Sequence, residues 1–395
     1  MSGGLDQVFS SVSNGLIVFA VAVAASPVAV GNITILITVL MAVLSCLRGG
    51  LGLPLLQTAH KSVEEIRESG SRALAAALAV SPLLAIGLLA MYPLAGFAAL
   101  ALAVSAPFVI GQDMLRYVAL TIGRPHVAAI WDGVWCVGAM LTLVLAWLRL
   151  PFVTAATVLA FWGVLGLIAF VAMTVDLKLL PSFRGIVGWL KANWQDRVRY
   201  GVDAGLEQSA LLIIFVLVSA LMSADATGAL RGAMALFAPI GIFGAAVQMV
   251  LIPESARSSA SPRQVWGLLR PIALLTALVT AAIGVVGYLL PSSIGFYLLG
   301  ESFESARGVL IPITAWFVAS CFTVVIGIQL KTFNRSSELF KMKISSCAVQ
   351  LVVAAGAAVW IGSASGVAVW LAIQTFATAL FFYFLWPPGG LEPRL

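Results

Sequence analysis

Apolar residues fill most of this chain in long continuous runs, and short polar or proline-containing segments separate one run from the next. A run of about 20 apolar residues is long enough to cross the hydrocarbon core of a bilayer as an α-helix. The pattern therefore predicts an all-α membrane protein with about twelve transmembrane helices. The predicted spans are residues 8–26, 29–47, 73–92, 94–111, 126–147, 152–174, 202–222, 228–251, 266–290, 307–329, 344–361 and 366–386.

Composition supports the same class and argues against several kinds of site. The chain is 61% hydrophobic and only 10% charged, whereas soluble domains carry about 25% charged residues. It has two histidines and no glycine-rich phosphate loop, nucleophile elbow or paired-acid motif. We therefore expect no enzyme activity, no metal centre and no cofactor. The net charge of +6 is explained by loop placement rather than by nucleic-acid binding.

The basic residues predict how the chain is oriented in the membrane. If loops alternate between two sides, all 22 basic residues except Arg149, Arg231 and Arg307 fall on the side that holds both termini. Basic residues accumulate on the cytoplasmic side of membrane proteins. We therefore expect both termini to be cytoplasmic.

A polar segment at residues 181–200 lies midway along the chain. Its apolar residues recur at helical spacing among basic ones, a pattern typical of a helix in the headgroup layer. It predicts a cytoplasmic amphipathic linker between an N-terminal six-helix bundle, residues 1–180, and a C-terminal six-helix bundle, residues 201–395.

The two halves share short sequence features about 200 residues apart. Gly-Leu-Asp-Gln at 4–7 is followed by Gly-Leu-Glu-Gln at 205–208. The anchors of this repeat are Gln7 with Gln208, Gly31 with Gly232, and Pro54 with Pro253. Six helices per half predict two parallel bundles related by a pseudo-twofold axis along the membrane normal, an arrangement typical of transporters.

Ionisable residues in predicted spans are candidates for function, because they are costly in a bilayer. Asp132 either couples an ion or contacts the substrate, or it is a structural partner for Arg124, for Arg116 or for neighbouring Trp and Tyr groups. Asp6, Asp203 and Glu207 lie near helix starts, where they either complement the helix dipole or couple an ion.

Several motifs resemble the polysaccharide flippases of the multidrug/oligosaccharidyl-lipid/polysaccharide superfamily, especially their actinobacterial members. The residues that carry this resemblance are Asp6-Gln7, Ser10-Ser11, Asn14, Gly31, Leu44–Arg48, Pro54-Leu55, Gln112–Tyr117, Gly123–Pro125, Gly228–Ala233 and Pro239.

The resemblance implies a flippase of the bacterial cytoplasmic membrane that works by alternating access. Its substrate would be a polyprenyl-pyrophosphate-linked oligosaccharide, and its partners would be membrane lipids and other polysaccharide-assembly proteins, with no nucleic acid. Arginine binds phosphate through a planar fork of donors. The expected substrate-binding residues are Arg48, Arg116, Arg231 and Arg307.

Three alternatives remain open. A cation-coupled drug exporter of the related multidrug and toxin extrusion family needs deep acidic residues, and Asp132 is the candidate. A membrane-embedded polysaccharide-assembly enzyme would extend a glycan chain from a supplied donor. A degenerate scaffold would tolerate the loss of every arginine named above.

The predicted topology is tested by cysteine labelling in a cysteine-free background. Single cysteines at Ser26, Ser223 and Ser302 should react with an impermeant thiol reagent in intact cells, because they lie in loops poor in basic residues. Cysteines at Ser69 and Ser259 should react only after permeabilisation. The reverse labelling pattern would exclude the twelve-span topology.

Overall fold

The computed structural model describes residues 2–25, 27–222, 224–299 and 303–386. Within these ranges it leaves undescribed the side chains of residues 2–4, 22, 27, 28, 30, 31, 34, 207, 208, 211, 212, 219, 224, 225, 228, 231, 235 and 296–299. The described residues form 17 α-helices and one π-helical turn, and none of them lies in a β-strand.

The chain divides into two compact units, of which the first comprises Met1–Gly205 and Ala245–Ser258. Nine helices lie wholly in this first unit, with the π-turn Arg48–Gly52 between α2 and α3. They are α1 (Ser2–Ala24), α2 (Pro27–Leu47), α3 (Leu53–Gln57), α4 (Val63–Ala90), α5 (Tyr92–Ala95), α6 (Phe97–Ile122), α7 (Pro125–Trp147), α8 (Ala155–Leu177) and α9 (Ile186–Ala192).

The second unit comprises Leu206–Gly244 and Ser259–Leu395. Two helices contribute residues to both units: α10 (Trp194–Leu221) and α12 (Ala238–Ser258). The other helices of the second unit are α11 (Ala224–Ala235), α13 (Pro262–Leu289), α14 (Ser292–Leu299), α15 (Phe303–Thr332), α16 (Ser336–Trp360) and α17 (Ala364–Leu385).

Long apolar helices confirm the predicted fold class. Among the described residues, ten helices are long and apolar enough to cross a membrane. The first predicted span forms α1, whose apolar part Leu5–Val21 is shorter, and the seventh lies in α10. Large apolar side chains face outward, including Trp360 at 89% and Leu83 at 72% exposure. Such a surface suits lipid rather than water.

The eighth predicted span, residues 228–251, is not one helix. It is divided between α11, which ends at Ala235, and α12, which begins at Ala238. Pro239 explains the break, because a proline ring clashes with the carbonyl four residues earlier, here that of Ala235. The repeat anchor Pro253 lies inside α12, which continues to Ser258.

The predicted linker helix is also shorter in the structure. Only Ile186–Ala192 form a separate helix, and Asn193 interrupts the helical backbone before α10 begins at Trp194. Gly185 precedes α9 with a positive φ of 70°, a conformation that glycine adopts without strain. The proposed domain limits at residues 180 and 200 stay a prediction.

Local sequence signals set several helix ends. Ser62 with Glu65 forms a capping box at the start of α4, and Ser261 with Gln264 forms another at the start of α13. These side chains bind N–H groups that the first helical turn leaves without partners. At the other end of α6, Gly123 takes the left-handed conformation that commonly closes a helix.

Each unit has its own buried core. In the first, α1 packs along α7 while α6 packs between α4 and α8. The indole rings of Trp135 and Trp162 lie in this core with their centroids 5.2 Å apart. In the second, α15 packs against α11, α13 and α17, and the rings of Phe237 and Phe317 stack 4.8 Å apart.

Glycine allows α6 and α8 to approach closely. A Cβ atom at Gly163 of α8 would collide with the side chain of Ser105 on α6, at 2.7 Å from its Cβ. Small residues at helix crossings provide close backbone packing in membrane proteins, where water does not drive helices together.

We expect Gly163→Ala to lower the melting temperature of the purified protein, because the added methyl group forces α6 and α8 apart. Gly87→Ala on α4 is the matched control, since a Cβ there meets nothing within 4 Å. Alanine is favoured over glycine in a helix by about 1 kcal/mol, so the control should be neutral or stabilising. Equal melting temperatures for the two variants would contradict this account of the crossing.

Candidate functional site

Five charged side chains converge inside the first unit, and we call them the ionic cluster. They are Asp6 on α1, Arg48 in the π-turn, Asp113 and Arg116 on α6, and Asp132 on α7. The three aspartates and Arg116 are between 0% and 3% exposed. The Arg48 side chain is 27% exposed. Charges buried this deeply require partners.

Arg116 connects the three helices of the cluster. Its Nη2 donates to Asp6 Oδ2 at 2.9 Å, and its Nη1 donates to Asp113 Oδ1 at 3.1 Å. Its Nε lies 2.9 Å from Asp132 Oδ2 and 3.2 Å from Asp6 Oδ1. The guanidinium therefore holds α1, α6 and α7 through three carboxylates.

Neutral polar groups complete the surroundings of Arg116. Its Nη1 also donates to Ser10 Oγ at 2.9 Å, and its Nη2 donates to Gln7 Oε1 at 3.2 Å. Gln112 donates from Nε2 to Asp132 Oδ1, and the same nitrogen lies 3.8 Å from the Met173 sulfur. Every nitrogen of the Arg116 guanidinium thus has an oxygen partner.

Arg48 and Asp113 form a second, separate pair. Arg48 Nε donates to Asp113 Oδ2 at 2.8 Å, and its Nη2 donates to Asp113 Oδ1 at 2.7 Å. This two-point geometry is the strongest form of an arginine–carboxylate contact. Because Arg116 also contacts Asp113, this carboxylate is neutralised by two guanidinium groups.

Helical spacing explains why α6 supplies two members of the cluster. Asp113 and Arg116 are three residues apart, so they lie on the same face of the helix. Asp132 lies about two turns after the start of α7 at Pro125. Asp113, Arg116 and Asp132 therefore lie within helices that are long and apolar enough to span a membrane, and Asp6 lies near the start of the shorter apolar part of α1.

The π-turn that carries Arg48 is closely packed. A Cβ atom at Gly49 would collide with the backbone of Tyr200 on α10, and one at Gly52 would lie 2.6 Å from the Tyr117 ring. Gln57 Nε2 donates to the Tyr200 hydroxyl at 3.1 Å. The start of α10 is thereby fixed against the segment that positions Arg48.

The end of α12 contacts α6 near the cluster. Arg257 Nη2 donates to the carbonyl oxygens of Leu120 at 2.5 Å and Thr121 at 3.0 Å. A cation at the C-terminal carbonyls of a helix complements the helix dipole.

The charges of the ionic cluster do not balance. Three aspartates against two arginines leave one negative charge when all five groups are ionised. Asp6 and Asp132 both contact the same Arg116 nitrogen within 3.3 Å. These two carboxylates therefore share one guanidinium group, whereas Asp113 is held by two.

The structure brings together four of the residues that the sequence indicated separately: Asp6, Arg48, Arg116 and Asp132. Of the two arginines predicted as partners of Asp132, the structure shows Arg116, while Arg124 donates to the Asp176 carbonyl oxygen at 2.9 Å.

The remaining predicted residues lie elsewhere. Asp203 is buried on α10, at 1% exposure. Arg307 lies in the second unit, with its guanidinium 5.5 Å from the centroid of the Tyr288 ring. The side chains of Arg231, Glu207 and Gln208, and the surroundings of Gly31, lie outside the described residues. Substrate binding by the four predicted arginines stays a prediction.

Sequence reasoning assigned no role to Asp113, Gln112 or Ser10. A signal for Asp113 is present, because Asp113 and Arg116 form an oppositely charged pair one helical turn apart, directly after the fourth predicted span. Gln112 and Ser10 have no comparable signal, since their partners come from other helices.

No protein-family model matches the chain, and no curated protein matches its sequence. Solved structures match it along nearly its whole length.

One is the outward-facing conformation of a multidrug resistance MATE (multidrug and toxin extrusion) family transporter of the MOP superfamily. It has a TM-score of 0.72 and 16% identity, over 97% of this chain and 93% of that chain. A second match is a mutant of the Vibrio cholerae MATE transporter VcmN. Its TM-score is 0.71 at 14% identity, over 97% of this chain and 93% of that chain.

A third match is a MOP superfamily transporter from Pyrococcus furiosus, described as having a binding pocket of reverse polarity that suggests a different function. Its TM-score is 0.67 at 15% identity, over 97% of this chain and 92% of that chain. At these identities the similarity concerns the fold. The chain thus has the fold of MOP-superfamily transporters.

Proposed function

We propose that the protein is a cation-coupled membrane exporter, and that its ionic cluster takes up and releases a proton or another monovalent cation during transport. The observation that carries this proposal is the charge imbalance of three aspartates against two arginines in a buried site. A site of this kind changes its interactions whenever its single excess charge is neutralised.

The geometry indicates which carboxylates exchange the cation. Asp113 is held by both Arg48 and Arg116, so its charge is compensated. Asp6 and Asp132 share Arg116 alone, and Arg116 is also engaged by Asp113. These two carboxylates are therefore the groups at which we expect the transported charge to be neutralised, because they share one guanidinium group in a water-poor site.

Cation uptake at this pair would change the contacts that hold three helices together. A protonated Asp6 or Asp132 attracts Arg116 less strongly, so α1 or α7 is held to α6 less firmly. An ion can drive transport only if it binds one conformation better than another. The cluster meets this requirement because its free energy depends both on its charge and on how these helices are placed.

The structural neighbours support export of drug-like molecules as the transported class. The multidrug resistance MATE family transporter solved in its outward-facing conformation shares this fold along nearly the whole length of the present chain. This agrees with the alternative function that the acidic residues of the sequence had indicated.

Flipping of a lipid-linked oligosaccharide is the second candidate, and the sequence motifs around Asp6, Arg48 and Arg116 favour it. A flippase of this kind needs arginines available for pyrophosphate. Arg116 is 1% exposed and fully engaged, and Arg48 already holds Asp113 through Nε and Nη2. The geometry of the cluster therefore favours cation coupling.

We expect Asp132→Asn to abolish ion-driven transport while the protein remains folded and abundant in the membrane. Asparagine has the same shape and is neutral, so it resembles the protonated carboxyl group and cannot exchange a proton. The measurement is pH-gradient-driven dye efflux from proteoliposomes, with the melting temperature recorded for the same preparation. Proton-coupled efflux at the wild-type rate would contradict the assignment of Asp132.

Asp113→Asn is the matched control, because it makes the same chemical change at the carboxylate that both arginines neutralise. Removing one partner of a buried ion pair typically costs about 3–5 kcal/mol, and the partial exposure of Arg48 reduces this cost. We expect a clear fall in melting temperature for this variant. Equal melting temperatures for Asp113→Asn and Asp132→Asn would show that the two carboxylates are equivalent.

The substrate class is tested with the same proteoliposomes. A pH gradient should drive efflux of a fluorescent drug-like dye, while a labelled polyprenyl-pyrophosphate glycan should remain in the leaflet where it was placed. Flipping of the glycan without dye efflux would contradict the exporter proposal and support the second candidate function, flipping of a lipid-linked oligosaccharide. Wild type and Asp132→Asn are compared for both substrates, so a coupled signal is separated from leakage.

A further inference from the structure

An exposed surface of mixed apolar and basic character lies between α8 and α10. Four large apolar side chains on this surface are exposed: Leu180 at 71%, Phe183 at 61%, Val187 at 61% and Trp194 at 58%. Arg184 and Lys191 are exposed among them. We call these six residues the linker surface.

The opposite face of the same segment is fixed to the first unit. Ile186, Trp189 and Leu190 pack against its core. The guanidinium of Arg197 lies 3.7 Å from the centroid of the Trp189 ring. Partial burial lowers the pKa of Arg197 to about 10, so this residue stays charged at neutral pH.

Two hydrogen bonds join the segment to α4. The backbone N–H of Ser182 donates to the Ser71 carbonyl oxygen at 3.0 Å, and Arg72 Nε donates to the Arg184 carbonyl oxygen at 3.3 Å. The linker surface therefore has a fixed orientation.

The contacts with α4 also fix the depth of the linker surface relative to the membrane. All charged residues of α4 lie between Val63 and Arg72, and the part from Ala73 to Ala90 has none. At 1.5 Å per residue this uncharged part is about 27 Å long, close to the thickness of a bilayer core. Ser71 and Arg72 thus lie where α4 leaves the hydrocarbon, and the linker surface lies at the same boundary.

Basic residues predominate in this part of the chain. Residues 178–199 contain Lys178, Arg184, Lys191, Arg197 and Arg199, but only one acid, Asp196. Asp196 lies 3.7 Å from Arg199 Nη1. Arg184 and Lys191, which are exposed beside open aromatic and aliphatic groups, face outward from the segment.

We propose that the linker surface binds the headgroups of anionic phospholipids at the membrane boundary. Leu180, Phe183, Val187 and Trp194 enter the region between headgroups and acyl chains, as apolar residues of interfacial helices do. Arg184 and Lys191 contact the phosphate groups beside them, where basic residues are attracted to an anionic leaflet. This proposal is independent of whether the ionic cluster couples an ion.

The test titrates delipidated full-length protein in detergent with phosphatidylglycerol or phosphatidylcholine, and native mass spectrometry counts the bound lipids. Wild type should bind phosphatidylglycerol more tightly than phosphatidylcholine. The double variant Arg184→Gln/Lys191→Gln should bind phosphatidylglycerol roughly thirtyfold less tightly, which corresponds to about 1 kcal/mol for each basic residue. Phe183→Ser/Val187→Ser should also weaken binding, because it removes the apolar contacts and keeps the charges.

Lys61→Gln/Lys341→Gln is the control, since it removes the same net charge from exposed positions outside the linker surface. We expect this control to bind phosphatidylglycerol like wild type. All substituted side chains are exposed, so melting temperatures should stay near the wild-type value. Equal loss in the control, or no preference for phosphatidylglycerol in wild type, would overturn the proposal. A dimer that Phe183→Ser/Val187→Ser converts to a monomer would instead assign the surface to a second copy of the chain.

Discussion

The burial of Arg116 inside an apolar helical unit is the constraint on which the architecture of the first unit depends. Removing a guanidinium ion from water costs several kcal/mol even after relaxation, so the surrounding helices must supply compensating charge. They do so with a carboxylate from each of α1, α6 and α7. The positions of these helices are therefore linked through one side chain.

The same interaction makes the unit sensitive to its own charge state. A cluster with equal numbers of positive and negative groups would have no excess charge for a cation to neutralise. Here Asp113 is neutralised by two arginines, while Asp6 and Asp132 compete for one. One part of the cluster is therefore suited to stability and the other to exchange, although all five side chains belong to one network.

The sequence predicted the features that depend on local pattern. The apolar runs gave the membrane class and most spans, because span length is a property of consecutive residues. The pairing of Asp132 with Arg116 was one of the predicted options, since Arg116 follows the fourth predicted span and Asp132 lies early in the fifth. The sequence pattern did not predict the break between α11 and α12, because the residues on both sides of it are apolar. Pro239 accounts for this break, since proline cannot continue the preceding helix.

The convergence of the cluster could not be predicted in the same way. Asp6 and Arg116 are 110 residues apart, and nothing in the local pattern of either residue identifies the other. For the same reason the arginines were expected to bind an external anion. Their internal partners became evident only when α1, α6 and α7 were placed side by side.

The π-turn at Arg48–Gly52 has a consequence for helix phase. A π-turn contains one more residue per turn than the α-helix, so it displaces everything after it by about 100° around the axis and about 1.5 Å along it. Residues of α2 and residues of α3 thus lie in different helical registers, and Arg48 at the start of the turn contacts Asp113. Side chains larger than glycine at positions 49 and 52 would strike Tyr200 and Tyr117 in this register. The small residues therefore permit the phase in which the cluster is complete.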